Sequence, residues 1–214
     1  MDEAEFPIEA RAMLRATVNK LGIRDFDKID WPYPDQINFV RLEKGQIYQP
    51  ADDTQYCFAL VGSGLVAMLF DSQPQRVRSF AGEGQFINLD VATEDTNAKE
   101  RATISAIEMT TLTLFSTQLL SNLAAQCTEW SQLIINLLLQ DLKYHQLRSS
   151  TLQTLSAPER FARFSENFPD LLARIPQYLI ADYLNMKPET LSRIRRQRLL
   201  DRRNSSEDQG LENR

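Results

Sequence analysis

Apolar positions change period twice along the chain, and each change announces a different kind of element. From Phe6 to Leu21 they recur as Phe6, Met13, Leu14, Val18 and Leu21, the spacing of a short amphipathic helix stopped by Gly22. Trp31-Pro32-Tyr33-Pro34 then interrupts any regular element. Beyond it, short runs rich in β-branched and aromatic residues predict strands at Ile37–Leu42, Tyr56–Val61, Leu65–Phe70, Arg76–Phe80, Arg101–Ala106 and Met109–Leu114. Turn-forming Lys44-Gly45, Gly62-Ser63-Gly64, Asp71-Ser72-Gln73-Pro74 and Gly82-Glu83-Gly84 fall between them. Within Thr103–Ile107 polar and apolar residues alternate, as in a half-buried strand. Many short, evenly spaced strands predict a sandwich, roll or barrel.

After Phe115 the period becomes helical. Ser116–Ala125 predicts one helix and Thr128–Leu152 a second, which would be about 37 Å long at the ordinary helical rise. The centre of the second helix, Leu133–Leu139, is apolar nearly all round, so two of its sides need cover. One side can rest on the strands. The other needs either a second copy of the helix, with Trp130, Ile134, Leu137 and Leu138 at the seam, or further core within a monomer. The dimer is the more economical reading.

Ala157-Pro158 opens a third region, with Pro158 suited to a helix start through Phe164 and Ser156 as its cap. A shorter helical segment around Leu171–Arg174 stops at Pro176. The run from Pro176 to Arg196 then meets the requirements of a helix-turn-helix one at a time. Ala181 is small where two helices must nearly touch, and Asn185 tolerates the left-handed backbone of a tight turn. Ile180, Leu184, Met186, Leu191 and Ile194 supply the apolar seam. Pro188 fits the first turn of the second helix, and Glu189 favours its positive end. That helix would present Glu189, Thr190, Ser192 and Arg193, followed by Arg195, Arg196 and Arg198, with Lys187 just before it. Short polar groups and an Arg suit base edges, and further Arg suits phosphates. The bland reading is an ordinary helical pair with a solvated basic face, but the small residue, the turn and the polar–Arg face together favour recognition.

Charge sharpens this division. The net charge of -5 is the sum of an acidic body, -7 over Met1–Leu155, a basic Ser156–Arg203 at +4, and a polar tail Asn204–Arg214 at -2 that composition predicts to be disordered. A basic C-terminal piece on an acidic body suggests a regulatory part joined to an anion-binding part. The chain has one histidine, His145, which excludes multi-His metal sites and leaves a Ser-His-Asp site a single choice. Its two cysteines, Cys57 and Cys127, are too few for a disulfide framework or a Cys-ligated iron–sulfur cluster, and they suit a reducing compartment, the cytoplasm. Both are expected to be ordinary packing residues, and with His145 they are the weak candidates for haem ligands. No run reaches the length of a membrane span, and Met1–Glu5 has no secretory pattern.

The order of elements and the Glu189-Thr190-Leu191-Ser192-Arg193 run resemble the Crp/Fnr transcription regulators over nearly the whole length, the run matching the Glu-x-x-Ser-Arg pattern of the Fnr-type recognition helix. The resemblance implies an α+β fold: an N-terminal antiparallel β-roll (a cyclic-nucleotide-binding-like jelly roll), a long dimerisation helix and a C-terminal helix-turn-helix domain. Its divisions would fall at 1–115, 116–155, 156–203 and a disordered 204–214. It further implies a homodimer on palindromic double-stranded DNA with a TTGA-like half-site, contact with RNA polymerase, a small-molecule effector and no catalytic activity. The family's wing is not evident, since Gln197–Arg203 carries no strand signal.

Nucleotide-binding members carry a cassette of the form Gly-x-x-Gly-Glu-Leu, with an Arg-Ser or Arg-Thr beyond a short loop. The Glu holds the ribose hydroxyl, and the Arg with backbone amides holds the phosphate. The corresponding stretch here runs from Gly84 to Asp90, then Arg101-Ala102-Thr103. Arg101 matches, although it is as readily a structural or surface Arg. Asn88 replaces the second Gly, Leu89 stands where the Glu belongs, Asp90 comes one position late, and Ala102 lacks the hydroxyl. A ligand hydroxyl without an acceptor costs about 1–3 kcal/mol in a dry site. The pocket is therefore expected to be degenerate, with an effector other than cAMP, and no cofactor is expected. The rival reading is a ligand-binding signalling module whose helix-turn-helix docks protein rather than DNA. An enzyme on the same scaffold has little to draw on.

Overall fold

The computed structural model of the chain describes residues 37–49, 56–70, 75–89, 103–126 and 128–200, the helix backbone onward to 211, and a few helical positions before residue 20. Among them, strands β1 (Ile37–Leu42), β2 (Ile47–Tyr48), β3 (Tyr56–Ser63), β4 (Leu65–Phe70), β5 (Arg76–Gly82), β6 (Phe86–Asn88), β7 (Thr103–Ala106) and β8 (Thr110–Ser116) come first. Helices α1 (Thr117–Gln126), α2 (Thr128–Thr154), α3 (Ala157–Asn167), α4 (Gln177–Tyr183) and α5 (Pro188–Leu211) follow. The chain divides into two units, Met1–His145 and Gln146–Arg214, with the division inside α2.

In the first unit the strands form two four-stranded sheets, ordered β1-β8-β3-β6 and β2-β7-β4-β5. All pairings are antiparallel. Alternation along β3 explains its role. Ala59 and Val61 join Leu112, Leu114, Val66, Met68 and Ile104 in the core between the sheets. Phe58 and Leu60 point the other way, into a second core with Phe115, Leu119, Leu123, Trp130 and Leu133, where α1 and α2 cover the outer face of the first sheet. Cys57–Val61 is therefore buried on both faces, so its sequence is a continuous apolar run instead of an alternating one. At full burial an aliphatic side chain such as Leu60 or Leu114 contributes about 1.5–3 kcal/mol.

The β3–β4 turn depends on a glycine. Gly64 has φ +88°, and a Cβ there would fall 2.8 Å from Thr110 Cα and collide with the Met109 carbonyl oxygen.

The two shortest strands, β2 and β6, were not expected from sequence. Two and three residues are too few to show a period, and pairing to β7 and β3 defines them. The expected N-terminal helix Phe6–Leu21 lies outside the described residues apart from a few backbone positions, as does Cys127.

In the second unit, α3 starts at a capping box. The Ser156 backbone N–H donates to Glu159 Oε2 at 2.8 Å, and the Ser156 hydroxyl donates to the same oxygen at 2.6 Å. These bonds hold the Glu159 carboxyl below its ordinary range. Among the described residues from α3 to α5, the buried apolar ones are Phe161, Phe164, Leu171, Ile175, Ile180, Ala181, Tyr183, Leu184, Leu191 and Ile194. Leu171–Arg174 forms turns and not the expected helical segment, closed by Ile175 N–H donating to the Leu171 carbonyl. The larger correction is at the C-terminus. Composition predicts a disordered tail from Asn204, yet α5 continues to Leu211. Polar residues cannot build a core, but extending an existing helix avoids the nucleation cost. The same continuity puts helix where a wing hairpin would begin. No helix among the described residues is long and apolar enough to cross a membrane.

Candidate nucleic-acid interface

The turn between α4 and α5 is a Schellman closure. Asn185 takes φ 50°, the left-handed value its short amide side chain tolerates. Around it the Asn185 N–H donates to the Asp182 carbonyl and the Met186 N–H to the Ala181 carbonyl, both at 2.9 Å. Ala181 is fully buried, which permits the close approach of the two helices. The last carbonyls of α4 are met by arginine. Arg160 of α3 donates through Nη1 to the Leu184 carbonyl at 2.6 Å and to the Asn185 carbonyl at 3.3 Å. Arg148 of α2 donates through Nη2 to the Tyr183 carbonyl at 3.2 Å. Cationic donors are favoured at this negative end of a helix.

From this turn α5 departs with two unlike faces. Leu191 and Ile194 are buried. Glu189, Ser192, Arg193 and Arg196 are exposed, and their spacing of three, four and seven residues puts them in one stripe. Thr190 and Arg195 are half-buried on its flanks, and Lys187 is exposed at its start. Arg198 serves the fold, its guanidinium lying 5.4 Å from the Phe161 ring centroid. The stripe therefore offers an acceptor, a hydroxyl and two guanidinium groups, the chemistry that base edges and phosphates require.

Along α2 the residues expected at a dimer seam separate. Trp130 is 3% exposed and belongs to the core under the first sheet, which corrects its assignment to a seam. Ile134 and Leu137 line an apolar cleft with Phe58, Phe86 and Phe115, so they face the same sheet. Only Leu138 of the four is strongly exposed, and it is joined by Ile135, Leu139 and Leu142. Sequence alone does not single out Ile135 and Leu139, because the apolar run that holds them shows no period, and Leu142 lies just beyond it. Placing Trp130 and Leu133 inward puts them on the opposite side of the helix. Further along, the Asn88 side chain donates from Nδ2 to Asp141 Oδ2 at 3.2 Å, and Arg78 Nη2 lies 3.0 Å from His145 Nε2. His145 Nε2 is also 3.4 Å from Asp141 Oδ1. The lone histidine thus sits in a polar contact between α2, β5 and β6.

At the expected effector position, Asp90, Arg101 and Ala102 lie outside the described residues. Leu89 is 1% exposed and packs in the core between the sheets, its N–H donating to the Cys57 carbonyl at 2.9 Å. An apolar side chain at a strand end is drawn into the core, and Leu89 follows that rule. Asn88 is committed to Asp141, and Thr103 is fully buried and accepts from Gln49 Nε2 at 3.1 Å. Nearby, burial pushes up the Tyr48 and Tyr56 phenols, and their proximity adds to the rise at Tyr48. Burial likewise raises the Cys57 thiol.

No family model matches the sequence, and no curated protein matches it. Solved structures do. FixK2 from Bradyrhizobium japonicum is 19% identical, with a TM-score of 0.64 over 75% of this chain and 83% of its own. A mutant of CooA from Carboxydothermus hydrogenoformans is 18% identical, with a TM-score of 0.59 over 76% of each. A proposed transcriptional regulator of the Crp/Fnr family from Eubacterium rectale is 14% identical, with a TM-score of 0.61 over 84% of this chain and 88% of its own. These likenesses identify the fold of the chain as that of the Crp/Fnr-type regulators.

Proposed function

We propose that the chain is a sequence-specific, dimeric DNA-binding transcription regulator of Crp/Fnr type, without catalytic activity. The observation that carries the reading is the exposed stripe Glu189, Ser192, Arg193 and Arg196 on a helix set by a Schellman turn. In this reading α4 and α5 are a helix-turn-helix. Glu189, Ser192 and Arg193 read bases, while Lys187, Thr190, Arg195 and Arg196 position the duplex through its phosphates. The exposed apolar residues of α2, Ile135, Leu138, Leu139 and Leu142, form the seam with a second copy, so that two recognition helices meet a palindrome. The proposed division keeps the sheets and 1–115 as the effector-type part, 116–155 as the dimerising part and 156–203 as the DNA-binding part. The protein would work in the cytoplasm and engage RNA polymerase at the promoters it controls.

The effector in this reading is not cAMP. Leu89 occupies the position of the ribose-binding acid and is held in the core, and Asn88 is committed to Asp141. Selection of bound duplexes from a random pool tests the main reading: a palindrome with two equal half-sites is expected, and salt-insensitive or absent binding would overturn it. Calorimetry with cAMP tests the second, where tight binding is the contrary result.

A further inference from the structure

We propose that Arg148 is the positioning residue through which α2 sets the orientation of α5, an inference that rests on the DNA-binding reading above. The direction of α5 is decided in the turn Leu184–Lys187, because Pro188 begins the helix immediately after it. Backbone bonds close that turn on one side, to the carbonyls of Ala181 and Asp182. The next three carbonyls, those of Tyr183, Leu184 and Asn185, receive guanidinium N–H groups instead. Arg160 supplies two of these bonds from α3, and Arg148 supplies the third from α2.

The Arg148 contact grips one residue twice. Its Nη2 donates to the Tyr183 carbonyl at 3.2 Å, and its Cζ stands 4.7 Å from the centroid of the Tyr183 ring. Tyr183 is 8% exposed, and its ring is wedged against Phe164 at 5.4 Å and Phe168 at 6.2 Å between centroids. A close-packed ring cannot absorb a displacement by turning aside, so movement of Arg148 passes to the backbone of Tyr183 and to the turn. Lysine cannot reproduce this, since one ammonium lacks the planar fork that both stacks and donates. The same helix carries Asp141 and His145, seated against Asn88 and Arg78 of the strands. Thus α2 holds polar contacts within each unit, and Arg148 is its contact to the turn.

The test compares full-length wild type, Arg148→Ala and Arg148→Lys. Each is titrated with the selected palindrome and with a random duplex at one salt concentration, and exchange of the Met186 amide is measured without DNA. Arg148→Ala is expected to bind the palindrome about tenfold more weakly, the effect of losing a charged hydrogen bond. Random-duplex affinity should stay within about twofold, because the phosphate-facing arginines remain. Arg148→Lys should fall between, and it carries the test if the alanine variant does not fold. The Met186 amide should exchange faster in both variants than in wild type. Parallel losses on both duplexes, or no loss on either, would overturn the positioning role. If wild type itself does not discriminate between duplexes, the DNA-binding reading fails, and the Met186 exchange decides the clamp alone: unchanged exchange overturns it.

Discussion

Leu133 and Leu142 stand on opposite faces of α2, the first 3% exposed and the second 54%. Nine positions at 3.6 residues per turn make two and a half turns, so a residue packed under the sheet has its counterpart in water. Substitutions on the two faces should therefore fail differently. Leu133→Ala should cost about 2–5 kcal/mol in a denaturant titration. The double change Leu138→Glu and Leu142→Glu should leave the folded spectrum intact and convert a dimer to a monomer in sedimentation. A wild-type monomer would overturn the dimer, and a double variant that stays dimeric would place the seam elsewhere.

Recognition and positioning should separate on α5. Arg193→Ala should weaken the selected duplex by about 1–3 kcal/mol while leaving much of the random-duplex binding in place. Arg196→Ala should instead reduce the slope of log affinity against log salt by about one. Equal losses on both duplexes for Arg193→Ala would contradict base reading.

The turn glycines give a graded comparison. Gly45 has φ +82°, and a methyl group there would meet nothing within 4 Å, so Gly45→Ala carries only the backbone strain, about 1–2 kcal/mol. At Gly64 the same strain is joined by collision with Met109 and Thr110, an overpacking cost of about 1–3 kcal/mol more. Thermal unfolding of the two variants should rank them in that order.

The buried Cys57 thiol should resist modification. It is 7% exposed, lies 3.7 Å from the Phe115 carbonyl and is raised by burial, so little thiolate forms at about pH 8. In a Cys127→Ser background, disulfide-exchange labelling should be at least about a hundredfold slower in native protein than in denaturant. Rapid native labelling would show that β3 opens readily.

The capping box predicts an acid limb. Hydrogen bonds to Ser156 lower the Glu159 pKa in the folded chain, so between the ordinary and the lowered value the unfolded chain binds more protons. The contribution is present above the ordinary carboxyl range and is lost as pH falls through the lowered value. A series of unfolding midpoints against pH should show Glu159→Gln with a shallower acid decline than wild type.

How far the fold could be read in advance depended on how far each element's signal was local. Ile37–Leu42 and Leu65–Phe70 match the expected strands because each carries its own apolar run between turn residues. Phe86–Asn88 does not, since pairing with β3 creates it. Asn185 was recognisable because a left-handed turn leaves few acceptable residues. The inward face of α2 was not, because Leu133–Leu139 is apolar on every side and only contact with Phe58 and Phe115 decides which side is inward. Leu89 shows the same limit: its mismatch with an acidic position was visible, but its place in the core was not.

The register of β1 against β8, with Ile37 opposite Phe115 and Leu42 opposite Thr110, has a bearing on biosynthesis. The first sheet has β8 between its neighbours, so it cannot zip until the ribosome has delivered Ser116. Until then Cys57–Val61, covered on both faces in the folded chain, lacks the strand partner that β8 supplies. The helices after Gln146 close over short distances and carry no such delay, and local contacts form faster than distant ones. Refolding should accordingly show a fast helical phase and a slower one in which the sheets close.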